Sequence, residues 1–158
     1  MKKQLILMIS LVMGFAAGVS IIRQREKKAK QKEKEMSEKH LALFLMMNQW
    51  VQVKQEGKKL ADYLSEHGYK NIAVYGMSFA GERLVNELRG TDIHISYGID
   101  KQADTLYSEI DLVSLEDEWK EVDAIIVTAI TFFDEIEKML SQRIYCPILS
   151  LEDILYEI

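Results

Sequence analysis

The apolar positions of this chain follow two regimes. From Gln4 to Ile22 it reads QLILMISLVMGFAAGVSII, apolar or small at nearly every position and free of charge. From Lys54 onward, apolar residues come in short runs with helix or strand spacing. Leu60, Ala61 and Leu64 recur as on a helix within Gly57–Glu66, and Gly68 follows as a helix stop. Asn71–Tyr75 is a short run of β-formers. Leu84, Val85 and Leu88 form a second helical stripe that ends at Gly90, and Ile93–Ile99 alternates as a strand closed by Asp100. Ile110–Val113 is a short strand and Val122–Ile130 a strongly apolar, buried one. Phe132–Ser141 places Phe133, Ile136 and Leu140 on one helix face, Pro147–Leu151 is a fifth strand, and Glu152–Ile158 a closing helix. Strands alternating with helices, joined by right-handed crossovers, predict an α/β domain over residues 54–158. Its parallel five-stranded sheet takes the order 3-2-1-4-5.

The first regime has the dimensions of a membrane helix. At ~1.5 Å rise per residue, Gln4–Ile22 is about 28 Å long, close to the ~30 Å hydrocarbon core of a bilayer. A cleaved signal peptide is the competing reading, with Ala16 and Gly18 as the small-residue cleavage site. The length of the run and the basic cluster that follows it favour an anchor over residues 1–22. That cluster is Arg23, Arg25, Lys27, Lys28, Lys30, Lys32 and Lys34, against only Glu26 and Glu33. Positive charge stays on the cytoplasmic side, which predicts a single-pass protein of the cell membrane with its C-terminal domain in the cytoplasm. The same charges attract anionic lipid headgroups.

Residues 23–53 read as a basic helical spacer followed by an apolar helix. Gln24–Glu38 is polar nearly all round and has no heptad seam. Leu41–Val53, LALFLMMNQWVQV, is too short to span a bilayer. It either lies in the membrane interface with Trp50 at headgroup level, or packs on the globular domain or on a second copy. The lack of a basic residue before Lys54 favours packing. A homodimer has two routes, this 41–53 helix or the Gly14-xxx-Gly18 spacing in the anchor.

Composition narrows the chemistry. Hydrophobic residues at 48% and charged residues at 28% suit a globular core, and a net charge of -5 argues against a nucleic-acid partner. The single cysteine, Cys146, forms no internal disulfide and reads as a small hydrophobe beside a strand. His40, His67 and His94 are scattered, so no metal set emerges. Glu116, Asp117 and Glu118 solvate a loop or open a helix. Thr128 and Thr131 bracket the end of the fourth strand, where they either line a site or serve the turn.

The most specific pattern is GMSFAG at Gly76–Gly81, which lies between the first strand of the domain and a helix. Gly76, Ser78 and Gly81 occupy the three positions of G-x-G-x-x-G. In that pattern the first residue makes the tight turn, the second lets backbone approach a pyrophosphate, and the third lets helix pack on strand. Ser78 departs from the pattern. Its Cβ intrudes on phosphate space, while its hydroxyl would donate to a phosphate or cap the helix. Asp100 follows the second strand near the spacing of a carboxylate that accepts from a ribose hydroxyl. KNIAVYGMSFAGERLVNEL followed by ISYGID resembles the nucleotide-binding region of nucleoside-diphosphate-sugar epimerases and dehydratases. It also resembles the Rossmann-like N-terminal modules of bacterial polysaccharide-biosynthesis proteins. VDAIIVTAI and CPILSLEDILYEI resemble the later half of such modules.

The resemblance implies a Rossmann-like domain with a site for NAD or a nucleoside-diphosphate sugar at Gly76, Ser78, Gly81 and Asp100. It also implies a role accessory to cell-surface polysaccharide synthesis. It carries over no activity, because the catalytic Tyr-x-x-x-Lys of that family is absent after the fourth strand; Tyr97 and Lys101 match the spacing only across a strand end. Two functions follow as expectations. One is a membrane-tethered nucleotide-binding module. The other is a ligand-free Rossmann-like scaffold that docks a membrane assembly.

Overall fold

The computed structural model describes the backbone from Lys2 and the side chains of residues 23–158. The side chains of Gln4–Ile22, and with them the anchor, Gly14, Gly18 and Ala16 readings, therefore lie outside what the structure describes. Among the described residues no helix is long and apolar enough to cross a membrane. The chain divides into two compact units, residues 1–41 and 42–158. The first helix is α1 (Lys2–Gln55). In the first unit residues 23–35 are exposed throughout, as expected of a helix that is polar all round. Its Lys34–Glu38 pair at 3.6 Å and its Gln31–Glu35 hydrogen bond at 2.8 Å are surface contacts four residues apart.

The second unit is the α/β domain. Its elements are α2 (Leu60–Glu66), β1 (Asn71–Tyr75), α3 (Phe79–Leu88), β2 (His94–Ile99), β3 (Leu112–Val113), β4 (Ala124–Val127), α4 (Phe133–Leu140), β5 (Ile148–Ser150) and α5 (Leu151–Glu157). A 3₁₀ turn, Ile130–Phe132, leads into α4. All four strand pairings are parallel, and the order is β3-β2-β1-β4-β5. Successive strand residues point to opposite sides, and both sides of the central strands are buried. Ile72, Val74, Ala124 and Ile126 belong to one core, together with side chains of α1, α2, α3 and α5. Ala73, Tyr75, Ile125 and Val127 belong to the other, against Ile136 and Leu140 of α4.

Two strands are markedly shorter than the sequence reading has them. The third strand pairs only over Leu112–Val113 and not from Ile110. The fourth strand is shorter than Val122–Ile130. It pairs only over Ala124–Val127, because Asp123 turns its carboxylate onto the N–H groups of Lys70 and Asn71, at 2.9 and 2.6 Å. Beyond Val127 the hydroxyl of Thr128 bonds back to the turn after β1, and the chain bends into the 3₁₀ turn. The helix before Lys54 packs on the domain, one of the two packings that its lack of a basic residue favoured, and the compact unit spans residues 42–158. Met46, Trp50 and Val53 are buried in the first core. Trp50 Nε1 donates to Glu87 at 2.6 Å, Gln49 Nε2 donates to the Leu155 carbonyl at 2.9 Å, and Lys54 pairs with Glu87 at 2.9 Å. These partners lie far off in sequence, so the apolar spacing of Leu41–Val53 does not reveal them.

Candidate functional site

The site is built around the turn between β1 and α3. Gly76 has φ +93°, a conformation that a side chain resists, and a Cβ there would lie 2.9 Å from Thr128 Oγ1. Gly81 sits on the first turn of α3, where a Cβ would drive into the Gly76 carbonyl oxygen. Its lack of a side chain therefore lets the helix close onto the end of the strand. Met77 is buried between them, its thioether over the space that Gly98 leaves on β2.

Four hydrogen bonds pin this turn. Gly76 N–H donates to Ile99 O at 2.9 Å, and Met77 N–H donates to Asp100 Oδ2 at 2.8 Å. Thr128 Oγ1 donates to Gly76 O at 2.5 Å, with Tyr75 O 3.2 Å away. Glu82 N–H donates to Ser78 O at 3.0 Å and opens the intrahelical ladder. The N–H groups ahead of Glu82 have no carbonyl within the helix to receive them, which leaves a patch of positive partial charge. Ser78 stands at the N-cap position but makes no capping hydrogen bond, and its side chain is exposed.

Gly76, Ser78 and Asp100 line one cleft of about 630 Å³ at the carboxyl ends of the strands. Gly81 stands behind it as the packing contact. The opposite wall is Ala129, Phe132, Glu135, Ile136 and Met139, and Lys101 and Gln102 close the side next to β2. The position matches the crevice where open α/β sheets take ligands. Lys101 is the one basic side chain in this lining, which also holds the carboxylates of Asp100 and Glu135. Burial pushes the Tyr75 phenol above its ordinary range, and the Asp100 charge adds to the shift.

Asp100 has a structural task that its spacing conceals. Oδ2 accepts from Met77 N–H, and Oδ1 accepts from Gln102 N–H at 2.9 Å. Each oxygen keeps one acceptor position for an incoming hydroxyl. Thr128 is buried, and its hydroxyl is spent on the turn. Tyr97 and Lys101 do not form a pair. Tyr97 is buried and donates to Lys120 O at 2.7 Å, whereas Lys101 lines the cleft. Among the described residues no group of His, Cys, Asp and Glu side chains is placed to hold a metal ion. Glu116–Glu118 form no helix; Asp117 instead accepts from Ser114 N–H at 2.6 Å, which holds its carboxyl below the usual range. Cys146 is half-buried against the second core, where burial raises its thiol pKa, as suits a small hydrophobe.

Sequence reasoning missed the apolar wall supplied by Phe132, Ile136 and Met139. The helix stripe Phe133-Ile136-Leu140 identified the buried face, but Phe132 and Met139 sit beside that stripe and carry no motif. Fold and cleft together define a parallel α/β module with a glycine-rich turn at its carboxyl edge. Neither family models, nor curated proteins, nor solved structures provide a match to this chain.

Proposed function

We propose that this protein is a membrane-tethered module that binds a nucleotide, NAD or a nucleoside-diphosphate sugar, on the cytoplasmic side. Gln4–Ile22 is its anchor, and the Arg23–Lys34 cluster sets its orientation and meets anionic lipid. A role accessory to cell-surface polysaccharide synthesis follows from the sequence resemblance. The observation that carries the binding reading is the cleft shared by the Gly76 turn, Ser78 and Asp100. Phosphates would meet the N-terminus of α3 and the Ser78 hydroxyl, and a ribose hydroxyl would donate to Asp100. Asp100 and Glu135 together disfavour a 2′-phosphate, so NAD is preferred over NADP. The apolar wall would receive a base.

One observation favours the ligand-free scaffold as a second reading. Both Asp100 oxygens already accept from backbone N–H groups, so the carboxylate has a structural reason to be present without any ligand. The same bonds make Asp100→Ala a poor test, since it would loosen the turn as well. Ser78→Asp separates the readings. Aspartate is a favoured N-cap, so stability should stay within about 0.5 kcal/mol or rise. Its charge would oppose a phosphate at the same N–H groups and weaken binding at least about tenfold, or ~1.4 kcal/mol. Calorimetry of the full chain in nanodiscs, with NAD, NADP and nucleoside-diphosphate sugars, reads the outcome. No heat with any of them at millimolar concentration, or equal binding by Ser78→Asp, sinks the nucleotide site and leaves the scaffold.

A further inference from the structure

The part of α1 inside the globular unit has two sides. Met46, Trp50 and Val53 bury one of them, and the bonds from Gln49, Trp50 and Lys54 to α5 and α3 fix the helix's rotation about its own axis. The other side carries Phe44, Leu45, Asn48, Val51 and Gln55, all exposed. Phe44 is 66%, Leu45 45% and Val51 53% accessible. Positions 44, 48, 51 and 55 alternate steps of four and three. That is the spacing of a two-stranded coiled-coil seam, with Phe44 and Val51 in one set and Asn48 and Gln55 in the other.

We propose that two copies of this chain pair in parallel through this face, Asn48 against Asn48. Two features select a second copy, and a third sets the condition under which it pairs. No charged residue occurs between Leu41 and Val53, so identical faces meet without repulsion, whereas an anionic lipid surface calls for basic side chains that this face lacks. Asn48 stands between apolar neighbours. Against lipid tails or an apolar partner its amide would lose its water and gain nothing. Opposite its own copy it both donates and accepts, and a single buried Asn in a seam sets parallel register. The third feature is size. Phe44, Leu45 and Val51 expose on the order of 300 Å² of apolar surface per copy, well under the ~800 Å² per partner of a stable complex. The pair therefore needs confinement, and tethering two chains to one membrane raises the effective concentration toward the millimolar range. In this respect the pairing rests on the anchored reading.

Photo-crosslinking of the full chain in membrane vesicles tests it, with Phe44 replaced by p-benzoylphenylalanine. The expected product runs at twice the chain mass, with adducts mapping to residues 42–55 of the second copy. Asn48→Lys should cut that product at least tenfold while circular dichroism and Trp50 fluorescence stay unchanged. The same photoprobe at Tyr145, fully exposed elsewhere on the domain, should give less than a tenth of it. The Tyr145 comparison stands even where Asn48→Lys misfolds. Adducts of the Phe44 probe with lipid alone or with another protein, or a yield no higher than from Tyr145, overturn the pairing. An alkaline carbonate wash of the same vesicles reads the anchor separately. If the chain is released, the anchor fails and the pairing falls with it, since the confinement it needs is gone; if the chain stays with the vesicles and the product is missing, the pairing alone fails.

Discussion

The two faces of the sheet are built from the same strands and covered unequally. One carries the α1 segment, α2, α3 and α5, and holds most of the largest fully buried side chains, among them Met46, Leu60, Leu64, Leu84, Leu88 and Leu151. The other carries α4 alone among the helices, with Trp119, Ile144 and Cys146 partly buried at its edge. The candidate cleft opens on this thinner side, where Ile136 and Met139 of α4 form its wall. Apolar alternation along β1 and β4 serves both faces alike. What differs is how many helices the chain returns to each, and a ligand has room only where that cover is incomplete.

The largest test of this contrast removes the first face's N-terminal cover. A fragment starting at Lys54 lacks Met46, Trp50 and Val53, whereas one starting at Ala42 keeps them. Truncating one large core side chain costs about 3–5 kcal/mol, so losing all three should leave the shorter fragment unfolded or aggregated. Denaturant titration should show a cooperative transition only for the longer one, and equal stability would remove α1 from the core. Trp50→Ala comes next. It should cost about 3–5 kcal/mol, since it removes an indole and leaves the Glu87 carboxylate one donor short.

Gly81→Ala should cost about 2–3 kcal/mol by pushing α3 off the strand end, read as a lower melting temperature. On the thin face, Ile136→Ala should cost about 2 kcal/mol, the low end for such a truncation, because the open cleft lets its surroundings relax. A loss equal to that of Trp50→Ala would erase the difference between the faces.

Tyr97, on the same thin face, adds a pH dependence. Burial pushes its phenol from about 10 up to about 12. The folded state therefore holds the proton more tightly than the unfolded chain. The stabilising effect is complete below pH ~10 and is lost as pH rises toward 12, on the order of 2 kcal/mol. Tyr97→Phe should flatten that part of the stability curve, and an unchanged slope would show that Tyr97 is not its source. The smallest effect belongs to Phe132→Ala. This cleft-wall ring is half-exposed, so stability should fall by less than about 1 kcal/mol, while any base stacked on that wall would be lost to calorimetry.

Much of this architecture can be read from residue spacing, because spacing reports local geometry. Five strand runs separated by helical stripes and turn residues leave few ways to wind a sheet, and the right-handed crossover rule then selects the order 3-2-1-4-5. The roles of Gly76 and Gly81 are legible for the same reason. A tight turn and a close helix–strand approach within six residues both demand the absence of a side chain. Strand ends were less legible. Asp123 and Thr128 stop β4 through bonds to Asn71 and Gly76, partners more than fifty positions away.

What the sequence by itself determined, then, is the succession of elements, their order in the sheet and the glycine turn. All of these follow from periodicity and backbone sterics over a few neighbouring residues. Only the tertiary structure decided that the helix before Lys54 belongs to the core, since Trp50 and Lys54 find a common partner in Glu87 across the fold. It alone also decided the double engagement of Asp100. A carboxylate at the end of β2 reads from spacing as a ribose acceptor, but parallel pairing of β1 with β2 brings it against Met77 N–H. The physical reason is that hydrogen bonds and burial are settled by distance in space, and chain spacing constrains that distance only within a turn or two.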